Sequence, residues 1–166
     1  MKKGFTLIEL LLYTSVSAIL LMGISIFFSA LLESRIKNQT IAEVEQQGIQ
    51  IMQEITSAVR NGSTITSPTP GQTSTSLTIQ TTSSTTNPIT FSTTSTRIQI
   101  QEGSADPILL SNNRVAISAL QFTNLSDASA PDSIRIQFTL TYQSNTDRQE
   151  YQYAQTFGGT ASMRIP

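Results

Sequence analysis

"MKKGFTLIELLLYTSVSAILLMGISIFFSALLESR", residues 1–35, is the most apolar stretch of the chain and holds its least expected charge, Glu9. From Leu10 to Leu32 there is no Asp, Glu, Lys or Arg. That run is about 23 residues, roughly 34 Å as a helix, enough to cross a hydrocarbon core of about 30 Å. It contains no Pro and one Gly, Gly23. Tyr13, Thr14, Ser15, Ser17, Ser25 and Ser29 interrupt it with hydroxyls. In a lipid helix such groups bond back to the chain or face a partner helix. Lys2 and Lys3 precede the run; Glu33, Arg35 and Lys37 follow it. The two lysines favour a cytoplasmic N-terminus. The run is too long for a signal-peptide core, and no small-residue cleavage site follows it before "LLESRIKNQ". A plain anchor fits the length but leaves Glu9 without a reason. A carboxylate in a membrane costs about 2.5 kcal/mol or more at depth, less near the interface, so it marks a functional site and needs a partner. The bland alternative is a side chain that snorkels to the interface.

The rest of the composition narrows the chemistry. The chain has 166 residues, a net charge of −1 and only 13% charged residues. It has room for one domain plus an extension. Its charge steers it toward no nucleic acid. It has no Cys and no His. Disulfides, the usual nucleophile–histidine pairs and most zinc sites are therefore excluded. No P-loop, GxSxG, GxGxxG or DxDxDG-type calcium loop occurs. The Ser/Thr tracts have no histidine base, and the only lysines are Lys2, Lys3 and Lys37. Asp127 and Asp132 flank "ASAP", where a cation bracket is weighed against a solvated turn. A non-enzymatic protein is expected, with no cofactor and no metal; a membrane-tethered hydrolase is the remote alternative.

"KKGFTLIELL" resembles the N-terminal signal of the type IV pilins and pseudopilins: a short basic leader, Gly, Phe, then Thr-Leu-Ile-Glu. Lys2, Lys3, Gly4, Phe5, Thr6, Leu7, Ile8, Glu9 and Leu10 match it without a gap. The resemblance implies cleavage between Gly4 and Phe5 by a membrane prepilin peptidase, N-methylation of Phe5, and an assembly role for Glu9. Lys2 and Lys3 supply the leader charge. In that family the glutamate pairs with the new amine of a neighbouring subunit. The physics agrees, because cutting before the apolar run keeps it in the mature chain. The new amine and Glu9 lie about one helical turn apart, and a charge in low dielectric needs an opposite partner. Within one subunit that pair satisfies itself; between subunits it sets axial register. Sequence does not choose between the two, and the family favours the second.

The helix pattern continues past the apolar run. Glu33 to Arg60 contains no Pro and one Gly, Gly48. Ile41, Val44, Ile51, Ile55 and Ala58 fall on one face, with Met52 and Val59 beside them. Glu43, Glu45, Gln46, Gln50, Gln53 and Glu54 cover the other side. Asn61-Gly62 is the expected stop, read as tolerant of the left-handed conformation. One helix of near 80 Å from about Thr6 to Arg60 is expected. An anchor joined to a separate coiled-coil stalk is disfavoured, since the stripe is too short.

Beyond Gly62 the composition changes. "GSTITSPTPGQTSTS" reads as a linker and "SSTTNP" as a polar connector. Alternating runs follow: Leu77 with Ile79, Ile89 with Phe91, and Ile98 with Ile100. In "RVAISALQFTNL", Val115 and Ile117 fall out of phase with Leu120, Phe122 and Leu125, so a bulge is expected near Ala119. "DSIRIQFTLTYQ" is the clearest strand, with Ile134, Ile136, Phe138, Leu140 and Tyr142 on one side. "QSNTDRQ" reads as a hairpin turn, and "EYQYAQTF" as a strand alternating Tyr151, Tyr153 and Gln155 with Gln152 and Ala154. The three tyrosines form a sticky surface or pack on the sheet; packing is favoured. These runs predict an antiparallel sheet with one dry face, covered by the helix stripe.

The expected fold is therefore α+β: a long N-terminal helix, membrane-spanning in its first half and amphipathic in its second, packed on a C-terminal antiparallel sheet in a pilin-like lollipop. The expected segments are a leader at 1–4, a transmembrane or filament-core helix at 5–33, an amphipathic half at 34–61, a Ser/Thr/Pro linker at 62–75 and a β domain at 76–166. Two departures point away from a major pilin: no helix-bending Pro in the apolar half, and no Cys for a C-terminal disulfide loop. "YAQTFGGTASMR" is similar to the ending of minor pilins and J-type minor pseudopilins. The resemblance implies a structural minor subunit of a type IV pilus or related filament, serving priming, adhesion, motility, DNA uptake or type II secretion. Its implied partners are prepilin peptidase, other pilin or pseudopilin subunits, an inner-membrane assembly platform and, before assembly, the lipid bilayer. Its implied location is the cytoplasmic (inner) membrane, single-pass with the N-terminus inside, and then an extracellular or periplasmic filament. The alternative is a single-span β-domain binding protein outside any filament.

Overall fold

A computed structural model describes residues 6–127, 131–146 and 148–164. Helix α1 runs from Leu7 to Asn61, and nine strands follow it. The chain divides into two units, Met1–Gln39 and Thr40–Pro166.

In the first unit every described residue up to Arg35 is exposed. Leu7, Ile8, Ile19, Met22 and Phe27 are each at least two-thirds exposed. An apolar surface of this kind is not left in water. Four hydroxyls on it bond back along the helix. Thr14 donates to the carbonyls of Leu10 and Leu11, Ser15 to Leu12, Ser25 to Leu21 and Ser29 to Ser25. These bonds satisfy the hydroxyls within the helix and keep its surface apolar.

In the second unit the end of α1 covers a β core. The buried seam is Thr40, Val44, Gly48, Ile51, Ile55 and Val59, with steps of three and four. Ile41, Met52 and Ala58 flank it half-buried, so the expected face is rotated slightly toward Thr40 and Gly48. Gly48 lies in the seam because a Cβ there would stand 2.1 Å from Cζ of Phe157. Gly62 is likewise demanded by packing, since its Cβ would stand 2.4 Å from the Ile79 methyl. Neither Asn61 nor Gly62 adopts a positive φ. The helix ends at Asn61 as expected, but the left-handed conformation expected there is corrected: glycine is required at 62 by the nearness of Ile79 and not by a positive φ.

The β region forms two antiparallel sheets where one was expected. The first orders β1 (Thr64–Ser67), β3 (Leu77–Gln80), β4 (Ile89–Thr94), β5 (Arg97–Glu102) and β6 (Ile108–Leu109) as β1-β3-β4-β5-β6. The second orders β2 (Thr73–Ser74), β7 (Val115–Asn124), β8 (Ser133–Tyr142) and β9 (Ala154–Ser162) as β2-β7-β8-β9. The stretch expected as a linker at 62–75 thus supplies an edge strand to each sheet. Backbone pairing is indifferent to its polar side chains, which an edge strand can leave wet. The bulge near Ala119 is present: the β7–β8 register shifts between Ser118 and Gln121, and Ala119 takes φ 51°. The shift turns Val115, Ile117, Leu120 and Phe122 all into the core. It buries Asn124 in place of Leu125, which is exposed. Asn124 donates to the Pro68 carbonyl at 2.7 Å and accepts from Ser126 N–H at 2.9 Å, so this buried amide is satisfied. Ile134, Ile136, Phe138 and Leu140 are fully buried, as the alternation of β8 predicts. The last expected strand starts late. Residues Gln149–Tyr151 form a 3-10 turn and β9 begins at Ala154.

Asp132 is half-buried, and its side chain is held within the fold. Its Oδ2 accepts from the Thr64 hydroxyl and from Ile65 N–H, each at 3.0 Å. It ties the first sheet's edge to the start of β8 in the second. Asp132→Ala leaves the Ile65 N–H unpaired beside a buried side chain, at a cost of about 1–3 kcal/mol. Asp132→Asn keeps an acceptor and is expected to lose less. Thermal unfolding of both variants in detergent checks the order.

Candidate functional site

Lys2, Lys3, Gly4 and Phe5 lie outside the described residues, so their geometry carries nothing here. Thr6 and Glu9 are described. Glu9 stands in the first turn of α1 and is exposed. Its N–H donates to the Thr6 carbonyl at 3.1 Å and reaches the Thr6 hydroxyl at 3.4 Å. Among the described residues, no side chain pairs with its carboxylate.

Thr6-Leu7-Ile8-Glu9 therefore has the spacing of a capping box, Thr at the cap and Glu three residues on. The hydroxyl half of that box is formed. Reading the sequence for its motif alone misses Thr6 as a cap, although the Thr-x-x-Glu spacing announces it. A carboxylate at this end also faces the positive pole of the helix. Glu9 thus has a local reason to be acidic, worth about 0.3–1 kcal/mol. That is less than the cost of holding a charge at membrane depth, about 2.5 kcal/mol or more. Capping alone does not compensate a carboxylate placed in hydrocarbon.

The prokaryotic N-terminal methylation motif matches residues 1–25. The chain carries the signal of the type IV pilins and pseudopilins. No curated protein and no solved structure matches the chain. The signal marks a pilin-like precursor, implies processing by a prepilin peptidase and assembly with other pilins, and points to a structural protein. The long apolar helix fits membrane anchoring. The remaining carboxylates gather no comparable site: among the described residues, no group of three or more acidic side chains is placed to hold a metal ion.

Proposed function

We propose that the chain is a minor subunit of a type IV pilus or a related pseudopilus. It enters the cytoplasmic membrane with its N-terminus inside, is cut between Gly4 and Phe5, and is methylated on Phe5. It then leaves the bilayer for a filament. The observation that carries this reading is the pilin signal running directly into an uncovered apolar helix. Leu7, Leu11, Leu20, Ile24 and Phe28 are all more than half exposed, and lipid first and neighbouring helices later would cover them. Membrane helices associate by close packing, since lipid offers no hydrophobic gain. The back-bonded Thr14, Ser15, Ser25 and Ser29 leave that surface apolar. The Phe5 amine of one subunit and Glu9 of the next would form an ion pair in low dielectric and set axial register. Minor status is supported by the missing helix-bending proline and the missing C-terminal cysteines. The β region would face outward and serve priming, adhesion, motility, DNA uptake or secretion through an assembly platform in the inner membrane.

The test is the intact mass and N-terminal sequence of the chain co-expressed with a prepilin peptidase. A product beginning at N-methyl-Phe5 is expected. A product still beginning at Met1, with the peptidase active on another substrate, leaves a single-span anchor carrying a β binding domain. Gly4→Val adds a branched side chain at the scissile bond. It is expected to abolish trimming, so that the full-length mass persists; a correctly trimmed product would refute the cleavage site.

A further inference from the structure

The second sheet ends in β9, which pairs with β8 along its whole length. Tyr142 N–H donates to the Tyr153 carbonyl at 2.9 Å, and Met163 N–H to the Asp132 carbonyl at 2.9 Å. Between those two bonds the register runs unbroken. Antiparallel pairing alternates bonded and non-bonded positions. Gln155, Phe157, Gly159 and Ala161 therefore bond to β8. Ala154, Thr156, Gly158, Thr160 and Ser162 turn their N–H and C=O groups the other way. All five are exposed, and Gly158 has only backbone to expose. Among the described residues none of these backbone groups has a partner.

An open edge invites another strand, and proteins usually blunt it with shortness, charge, proline or a bulge. The other edges here are blunted. Strands β2 and β6 have two residues each. Strand β1 has four, with a register shift between Ile65 and Ser67. Strand β9 has nine residues, no charge, no proline and no shift. Beside its C-terminal end a groove of about 660 Å³ is lined by Gln53, Thr56 and Ser57 of α1 and by Ser162. The groove leaves room for small side chains on an added strand, and valine and threonine are the strand formers of that size.

A second copy of the chain fits this edge poorly. Antiparallel pairing of two β9 strands turns one copy end for end. Helix α1 runs the same way as β9: Gly48 lies over Phe157, Met52 beside Gly159, and the Arg60 carbonyl accepts from Arg164 N–H. Such a pair would reverse α1 as well, whereas chains anchored in one membrane share a direction. The other edges of a copy offer two residues or a bulge. This exclusion rests on the proposed anchoring; the free edge does not.

We propose that the free edge of β9 takes up an extended, Val/Thr-rich segment of a different protein, added antiparallel as a further strand of the second sheet.

The test is amide hydrogen exchange read by NMR on the full chain in lauryldimethylamine oxide micelles. The probe is the heptapeptide acetyl-Ser-Thr-Val-Thr-Val-Thr-Ser-amide, and its fully N-methylated copy is the control. In the free chain Thr156, Gly158 and Thr160 should exchange at least about tenfold faster than Phe157 and Gly159, which β8 protects. The peptide at millimolar concentration should slow the first three at least about threefold, and the N-methylated copy should not. Thr160→Pro places a ring on the open edge without removing a bond to β8, and should abolish the slowing. Circular dichroism melting shows whether that variant folds, and the N-methylated control decides on the unaltered chain if it does not. Protection of Thr156, Gly158 and Thr160 in the free chain at every concentration overturns the proposal. So does protection that grows with chain concentration alone, which would make a second copy the occupant. No slowing by the peptide, equal slowing by its N-methylated copy, or slowing that a folded Thr160→Pro leaves unchanged overturns it too.

Discussion

Glu9→Gln is expected to insert into the membrane as well as the parent chain and to enter filaments at least about tenfold less well. The glutamine is nearly isosteric and can serve the Thr6-x-x-Glu9 capping box as glutamate does. What it removes is the charge. If Glu9 acts only as a cap in the first turn of α1, where its N–H already meets Thr6, the substitution is nearly silent. If Glu9 is the partner of a neighbour's amine, it leaves that amine unpaired in low dielectric. Breaking a buried pair by removing one charge costs about 3–5 kcal/mol, and every 1.4 kcal/mol is about tenfold in an equilibrium. Glu9→Ala should match Glu9→Gln in filaments and insert at least as readily, since a costly charge is gone. The measurement is the amount of trimmed subunit in sheared filaments relative to the amount in the membrane. Normal incorporation of Glu9→Gln would reduce Glu9 to a helix cap.

Gly48→Leu is expected to produce a large loss of stability in the second unit. The Phe157 ring stands end-on over Gly48, with Cζ, Cε2 and Cε1 at 2.1, 2.3 and 2.4 Å from where a Cβ would be. That ring stacks on fully buried Phe138 with centroids 5.4 Å apart. It cannot move inward without displacing the centre of β8. A leucine forces it out and opens the seam between α1 and β9, for about 3 kcal/mol. The apparent melting temperature in detergent should fall by on the order of 10 °C. Gly48→Ala divides two effects. It gains about 1 kcal/mol of helix propensity and meets the same ring, so a smaller net loss is expected. Phe157→Ala empties the space that the new methyl needs. Gly48→Ala combined with Phe157→Ala should therefore be more stable than the sum of the single losses, by about 0.5–3 kcal/mol of coupling. Additive losses would show that the ring and the glycine do not compete for one volume.

Some of this was written in local sequence. The apolar run without proline, passing into a stripe with steps of three and four, specified α1. Helix periodicity is a short-range property, and nothing in residues 10–60 offers the backbone another partner. The alternation of β8 and the phase slip at Ala119 were legible for the same reason, because side-chain direction in a strand follows from the residue beside it. The pilin signal was legible because it is one contiguous run, within residues 1–25.

What tertiary structure alone decided is non-local. Which polar stretch becomes a strand depends on a free edge elsewhere: β1 found β3 and β2 found β7, so a segment that looks like a linker was divided between two sheets. Gly48 carries no signal of its own, and Gly62 announces a helix end without its cause, because the volumes that require glycine belong to Phe157 and Ile79, distant in the chain. Asp132 reads as a turn residue until Ile65 arrives with an N–H to satisfy. The same holds for Tyr142 and Tyr151, whose stacking depends on the path of the β8–β9 connection. The sequence by itself determined the helix, its membrane-ready half and the processing signal. The partner of each buried group, and with it the shape of every surface in the β region, waited for the fold. Packing is a statement about pairs, and one member of a pair does not name the other.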